Sequence, residues 1–130
     1  MIEPVSISVN YQLAQKLLDG SVLRQQAIAT NIANAETPGF RRIDLAPDFA
    51  SALRAQFAPG AVPSAGEIAA ISPHLAEDAN VHTVRPDGNS VELESELLAM
   101  NKNHVDYEFL TDVVSRDLKQ LKVAITGNVS

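Results

Sequence analysis

The chain has 130 residues, 45% hydrophobic and 20% charged, with a formal net charge of -6. That length predicts one domain with a modest core, and the lack of any basic stripe argues against nucleic-acid binding. With no cysteine, disulfides and thiolate chemistry are excluded, and with two Tyr, four Phe and no Trp no large aromatic-lined pocket is expected.

The first residues read as irregular up to about position 7. They include Glu3 and Pro4 and show neither a basic region nor an apolar run, so no secretory signal is expected. Nothing approaches the ~18 apolar residues of a membrane span. These features imply the cytoplasm, or export by a route that needs no cleaved signal.

A helix is predicted over residues 8–35, where Tyr11, Ala14, Leu18, Val22, Ala29 and Ile32 recur near the helical period. Ser6 or Ser8 is the expected cap. Gly20 interrupts the pattern and marks either a bend or a close approach by another backbone. Pro38 pushes Thr37 out of the helical region. Thr37-Pro38-Gly39-Phe40 then reads as a type II turn, with a positive φ expected at Gly39. Asn31 and Asn34 lie one turn apart before it. Either they bond the local backbone of a frayed end, or they point together at the backbone of a partner. Arg41-Arg42 is the longest basic cluster and is expected to be a solvated pair.

A short helix is predicted near 47–57, with Pro47 in its first turn and Phe49, Leu53 and Phe57 on one face. Residues 58–86 are rich in Pro, Gly, Ala and Ser and hold no sustained period. A short helix near Glu67–Ile71 and an extended piece at Val81–Val84 are expected there. A run this long is either mobile or ordered by contact with something else.

The longest element is predicted over Ser90–Thr126. Leu93, Leu97, Met100, His104, Tyr107, Thr111, Val114, Leu118, Leu121 and Ile125 form a heptad seam. Leu98, Val105, Leu110 and Val113 form a second row beside it. Asn89 is the expected cap, with Glu92 completing a capping box. Glu92, Glu94 and Glu96 are expected to complement the helix dipole, as are Lys119 and Lys122 at the other end. Gly127 is the expected stop. His104 is a polar seam residue that sets register rather than binding metal. The fold class is therefore mainly α: long N- and C-terminal helices packed as an antiparallel, coiled-coil-like hairpin. Residues 1–45 with 85–130 form the helical core, and 46–84 form a largely irregular middle arm.

No nucleophile elbow, zinc-helix motif, phosphate loop or dinucleotide fingerprint is present. The sequence assigns no catalytic residue, metal ligand, cofactor or small-molecule substrate. Asn128-Val129-Ser130 matches a glycosylation sequon by chance.

Two stretches carry a resemblance. Ala29-Thr30-Asn31-Ile32-Ala33-Asn34-Ala35-Glu36-Thr37-Pro38-Gly39-Phe40 resembles the A-x-N-I-A-N-x-x-T-P-G-Y signature of bacterial flagellar rod, hook and hook-associated axial proteins. Phe40 stands where Tyr is usual, with the loss of a hydroxyl. Arg85-Pro86-Asp87-Gly88-Asn89-Ser90-Val91-Glu92-Leu93-Glu94 is similar to the R-P-D-G-N-x-V-x-L-E segment of proximal rod subunits in that family. The resemblance covers about residues 8–45 and 85–126. It implies a structural subunit of the periplasmic rod that transmits torque from motor to hook and leaves the cytoplasm through the flagellar type III apparatus. Implied partners are further copies, other rod subunits, the rod-to-ring adaptor and export-gate proteins. Asn31, Asn34, Thr37, Pro38, Gly39, Phe40, Arg85, Asp87, Gly88 and Asn89 are the motif residues. Leu97, Leu118, Leu121 and Ile125 are the seam residues expected to serve assembly. The competing readings are a helical-hairpin adaptor or export chaperone that binds one client, and an enzyme with an unfamiliar site.

Overall fold

The computed structural model describes residues 4–126, with the side chains of 9–120, 122 and 123. Gly127, the 128–130 sequon and the side chains of Leu121 and Ile125 lie outside the described residues. Six elements follow in order: α1 (Pro4–Ala33), β1 (Ile43–Leu45), α2 (Pro47–Gln56), α3 (Ala65–Ala70), β2 (Leu75–Glu77) and α4 (Leu93–Thr126).

The helix α1 begins earlier than its periodicity predicts, so Pro4–Ile7 is helical and Ser6 and Ser8 lie within the helix. Proline fits a first turn, where its missing N–H costs nothing. Pro38 enforces the end, and α1 stops at Ala33. At the other terminus, α4 starts three residues later than expected. Asn89, Ser90 and Val91 are buried in contacts with the exit from α1 and cannot also form a helical turn.

The two long helices pack antiparallel. Asn31 meets Glu96, and Ser21 meets Asn103. The buried line on α4 is Glu96 and Asn103, with Met100, Leu110 and Val114 half-buried along it. This corrects the seam read from the sequence: Leu93, Leu97, Tyr107 and Leu118 are exposed, as are Leu98 and Val105 of the second row. His104 is exposed too and pairs with Glu108 at 3.2 Å. The polar residue inside the interface is its neighbour Asn103, whose Nδ2 donates to Ser21 O (2.9 Å) and Gln25 Oε1 (3.1 Å). A buried amide without partners costs more than an exposed leucine, so these polar groups set the helix rotation.

The middle segment folds back onto α1. Phe49 and Leu53 of α2, Ile68 of α3 and Val9 of α1 form the buried apolar cluster. Each such side chain contributes ~1.5–3 kcal/mol when fully buried. Phe57, the third residue of the α2 face read from the sequence, remains exposed. Ser64 caps α3 by accepting from Glu67 N. Lys16 Nζ donates to Ala69 O (3.1 Å). The extended piece lies at β2 rather than at Val81–Val84. It pairs antiparallel with β1, Leu45 opposite Leu75, and Ala46 N to His74 O and Asp78 N to Arg42 O extend the ladder.

Gly20 is neither a bend nor a crossing of two backbones. The helix runs through it, and the ring of Phe49 lies against it. A Cβ at Gly20 would sit 2.8 Å from Phe49 Cε1. Gly20→Ala should therefore destabilise by ~1–2 kcal/mol, because overpacking outweighs the gain in helix propensity. Adding Phe49→Leu should recover part of that loss in a urea-unfolding double-mutant cycle. Independent, additive effects would contradict the contact.

Candidate functional site

The exit from α1 is a type II turn. Phe40 N donates to Thr37 O at 3.2 Å, and Gly39 has φ +77°. Asn34 secures it locally: its Nδ2 donates to Thr30 O (2.8 Å) and its Oδ1 accepts from Thr37 Oγ1 (3.1 Å). Pro38 sits exposed at the corner.

The segment Arg85–Ser90 is folded against this turn. Gly88 N donates to Arg85 O (2.8 Å) and Arg85 N to Asn89 O (2.9 Å), with Gly88 at φ +86°. Gly39 N donates to Asp87 O (2.8 Å) and Ser90 N to Phe40 O (3.0 Å). The two glycines face one another, and a Cβ on Gly88 would lie 3.4 Å from Gly39 Cα. Asn89 is fully buried. Its Nδ2 faces the carbonyls of Asn34 (3.0 Å), Ala35 (3.1 Å) and Thr37 (2.8 Å), and its Oδ1 accepts from Val91 N (2.8 Å). Arg85 Nη2 also donates to Ala35 O. Asn89 therefore secures the exit of α1 rather than capping the start of α4.

A second polar cluster lies beneath the turn. Asn31 is fully buried; its Nδ2 donates to Ile43 O (2.8 Å) and its Oδ1 accepts from Ile43 N (3.0 Å). The backbone it reads is that of Ile43 in its own chain. Arg42 is not a solvated side chain. It pairs with Asp44 (3.0 Å), Asp78 (2.8 Å) and Glu96, while Arg41 stays exposed. Burial opposes the Arg42 charge, but the hydrogen bonds and charges of Glu96 and Asp44 outweigh it and hold the guanidinium above its ordinary pKa. Arg42 N also donates to Ser90 Oγ (2.8 Å). Glu96, expected to complement the helix dipole, is instead 1% exposed in this cluster. Glu92 accepts from Thr83 Oγ1 (2.6 Å) and Ser95 Oγ (3.1 Å), which hold its carboxyl below the usual range, and it forms no capping box with Asn89.

The structure thus brings Asn31, Asn34, Thr37, Gly39, Phe40, Arg85, Asp87, Gly88 and Asn89 into one interlocked junction. Leu97 and Leu118 lie apart from it on α4, 42% and 46% exposed. Sequence reasoning missed Arg42, Ser90, Glu96 and Asn103. One signal was available: Asn89, Glu96 and Asn103 stand at heptad spacing, in a phase parallel to the leucines.

No family model matches the chain. Seven curated relatives from several bacteria all bear the name flagellar basal body rod protein FlgB. The chain is similar to the FlgB rod proteins along most of its length. It is 28% identical to the protein of Borreliella burgdorferi, over 86% of this chain and 92% of that one. It is 26% identical to that of Escherichia coli, over 98% and 100%, and 27% identical to that of Salmonella typhimurium, over 98% and 99%. The similarity to FlgB proteins therefore takes in the middle segment as well as the two motif stretches.

Asn89→Ala should cost ~1–3 kcal/mol, because it removes a buried amide that donates a second hydrogen bond to carbonyls at the α1 exit and accepts from Val91 N. Asn89→Asp should cost at least as much, since a carboxylate would face the same carbonyls; urea midpoints measure both. For Glu92 the folded pKa is depressed, so its contribution is present at neutral pH and is lost as pH falls through the folded value. Thr83→Val should remove part of that acid sensitivity in pH-unfolding curves.

Proposed function

We propose that this chain is a structural subunit of the flagellar basal-body rod. It polymerises through its two long helices into a helical tube that carries torque from motor to hook. The observation that carries the reading is the junction: motif residues 54 positions apart meet in one hydrogen-bonded unit, as between Ala35 and Asn89. That unit fixes the angle between α1 and α4 and leaves large apolar side chains of α4 facing outward. Leu93, Leu97, Leu98, Val105, Phe109 and Leu118 are all exposed on a single helix. Apolar surface of that extent fits a protein completed by its neighbours. In this reading, residues 1–45 and 85–130 form the axial core and 46–84 a lateral module. Leu97 and Leu118, with Leu121 and Ile125, serve assembly. Other rod subunits, the rod-to-ring adaptor and export-gate proteins are the partners, and the type III apparatus exports the chain to the periplasm without signal cleavage. No substrate or cofactor enters this role.

The test is complementation of a deletion strain. Gly39→Val forces a β-branched residue to a positive φ, at a cost of ~1–3 kcal/mol. Its expected outcome is protein that accumulates, cells that do not swim, and no hooks in electron micrographs. Leu118→Asp changes a half-exposed residue, so the subunit should stay folded and soluble yet fail to enter the rod. Normal filaments on cells carrying Leu118→Asp as the sole copy would contradict the proposed assembly face.

A further inference from the structure

One guanidinium joins three elements. Arg42 Nη1 donates to Asp44 of β1 (3.0 Å) and to Asp78, just past β2 (2.8 Å), while its Nε donates to Glu96 of α4. Asp44 and Glu96 each have a further partner on α1, Arg24 Nε at 3.4 Å and Asn31 Nδ2 at 3.3 Å. Asp78 looks elsewhere: its other oxygen accepts from Asn80 N (2.9 Å), two residues on in its own segment. A cavity of about 250 Å³, bordered by Asp78, His82, Ser95 and Glu96, separates residues 78–82 from the start of α4. Among the described residues, two side-chain links cross it: Asp78 to Glu96 through Arg42, and Thr83 Oγ1 to Glu92 (2.6 Å).

The α4 side of this cavity runs on into exposed surface. Ser95, Leu98, Lys102, Val105 and Phe109 follow one another at steps of three and four, so they share one stripe of the helix. Leu98, Val105 and Phe109 are exposed. Residues 78–84 therefore lie beside the start of an outward apolar stripe. We propose that Arg42 is a positioning residue: it holds the returning segment 78–84 against α4, so that this segment and the stripe of Leu98, Val105 and Phe109 meet neighbouring subunits as one rigid face. The arrangement needs an arginine. Its donors form a fixed planar fork that reaches several carboxylates at once, whereas a lysine ammonium is a single point on a flexible stem. Glu96 is buried, while Asp78 is partly exposed, so the Asp78 link can be cut with the rest of the cluster in place. The inference rests on the reading of the chain as a rod subunit and names what fixes one of its faces.

The experiment is a pair of distance measurements on the full chain. The chain has no cysteine, so spin labels can be attached to introduced ones alone. Labels at Ala79→Cys and Lys102→Cys, both exposed positions, read the gap between the returning segment and α4 by pulsed electron resonance. Labels at Gln26→Cys and Lys102→Cys read the helix pair itself. Both distance distributions should be narrow in the parent chain. Arg42→Lys should broaden the first and leave the second narrow. Asp78→Asn, which leaves Arg42 its bonds to Asp44 and Glu96, should do the same, so the result does not depend on the folding of Arg42→Lys. Asp78→Glu keeps the carboxylate and should keep the first distribution narrow. A broad first distribution in the parent chain, or an unchanged one in Asp78→Asn, would overturn the proposal. So would equal broadening of both label pairs, which is the mark of a residue that serves stability alone. A final arm reads assembly. Deletion cells with Asp78→Asn as the sole copy should accumulate the protein normally yet carry several-fold fewer hooks, and a normal hook count would overturn the role in assembly. If the unmutated gene itself restores no hooks, the rod reading falls, and the distance measurements alone decide whether Arg42 holds the segment.

Discussion

The carboxamide of Asn89 is the contact on which the rest of the arrangement depends. The carbonyls of Asn34, Ala35 and Thr37 lie just past the last turn of α1, where each accepts one bond from outside the helical ladder, from Thr37 N, Arg85 and Phe40 N respectively, and a second from Asn89. A buried carbonyl needs a donor. Asn89 brings one from the far side of the middle segment, and its own oxygen takes the N–H of Val91. The same side chain thus completes the exit from α1 and sets the approach to α4. Gly39 and Gly88 allow it, because each holds a positive φ that side chains of L residues resist, and their backbones lie against one another there.

The rotation of α4 follows from this origin. Glu96 and Asn103 lie one heptad apart on α4, so both face α1, and Asn89, just before the helix, is buried against the exit from α1. Glu96 meets Arg42 and Asn31, and Asn103 meets Ser21 and Gln25. These contacts are directional, and none survives a rotation of the helix that would bury the leucines instead. Removing one partner of a buried ion pair costs about 3–5 kcal/mol. That exceeds what one half-covered leucine gains by turning inward. Specificity of register is obtained by leaving apolar surface outside.

Much of this was legible in the residues. Pro38 and Gly39 forced the turn, the Phe49 and Leu53 spacing gave α2, and the absence of breakers gave α4. The heptad pattern was also real, but its phase was read from the leucines alone, on the premise that the largest apolar row faces inward. A subunit with outward apolar rows breaks that premise. Asn31 and Arg42 were illegible for another reason. Their importance comes from Ile43, Asp78 and Glu96, which are brought to them only by the completed fold. Periodicity reports a residue's own helix face and says nothing about what arrives from elsewhere. The turn-forming character of Pro86-Asp87-Gly88 could be read locally; that it docks on Thr37–Phe40 could not.

The middle segment gains its definition from being tied twice. Its base is closed by the junction, where Asp87 meets Gly39 and Ser90 meets Phe40. A segment held only there would pivot about its base. The second tie is at the other end of α1, where Phe49, Leu53 and Ile68 pack on Val9, Phe49 also lies against Gly20, and Lys16 reaches Ala69. Between the two ties, β1 and β2 and the Arg42–Asp78 pair join the outgoing and returning strands. Rotation about either tie alone breaks the other. The module is therefore fixed in angle to the helix pair by apolar contact at one end and backbone hydrogen bonds at the other. The two kinds of contact respond differently to solvent and temperature.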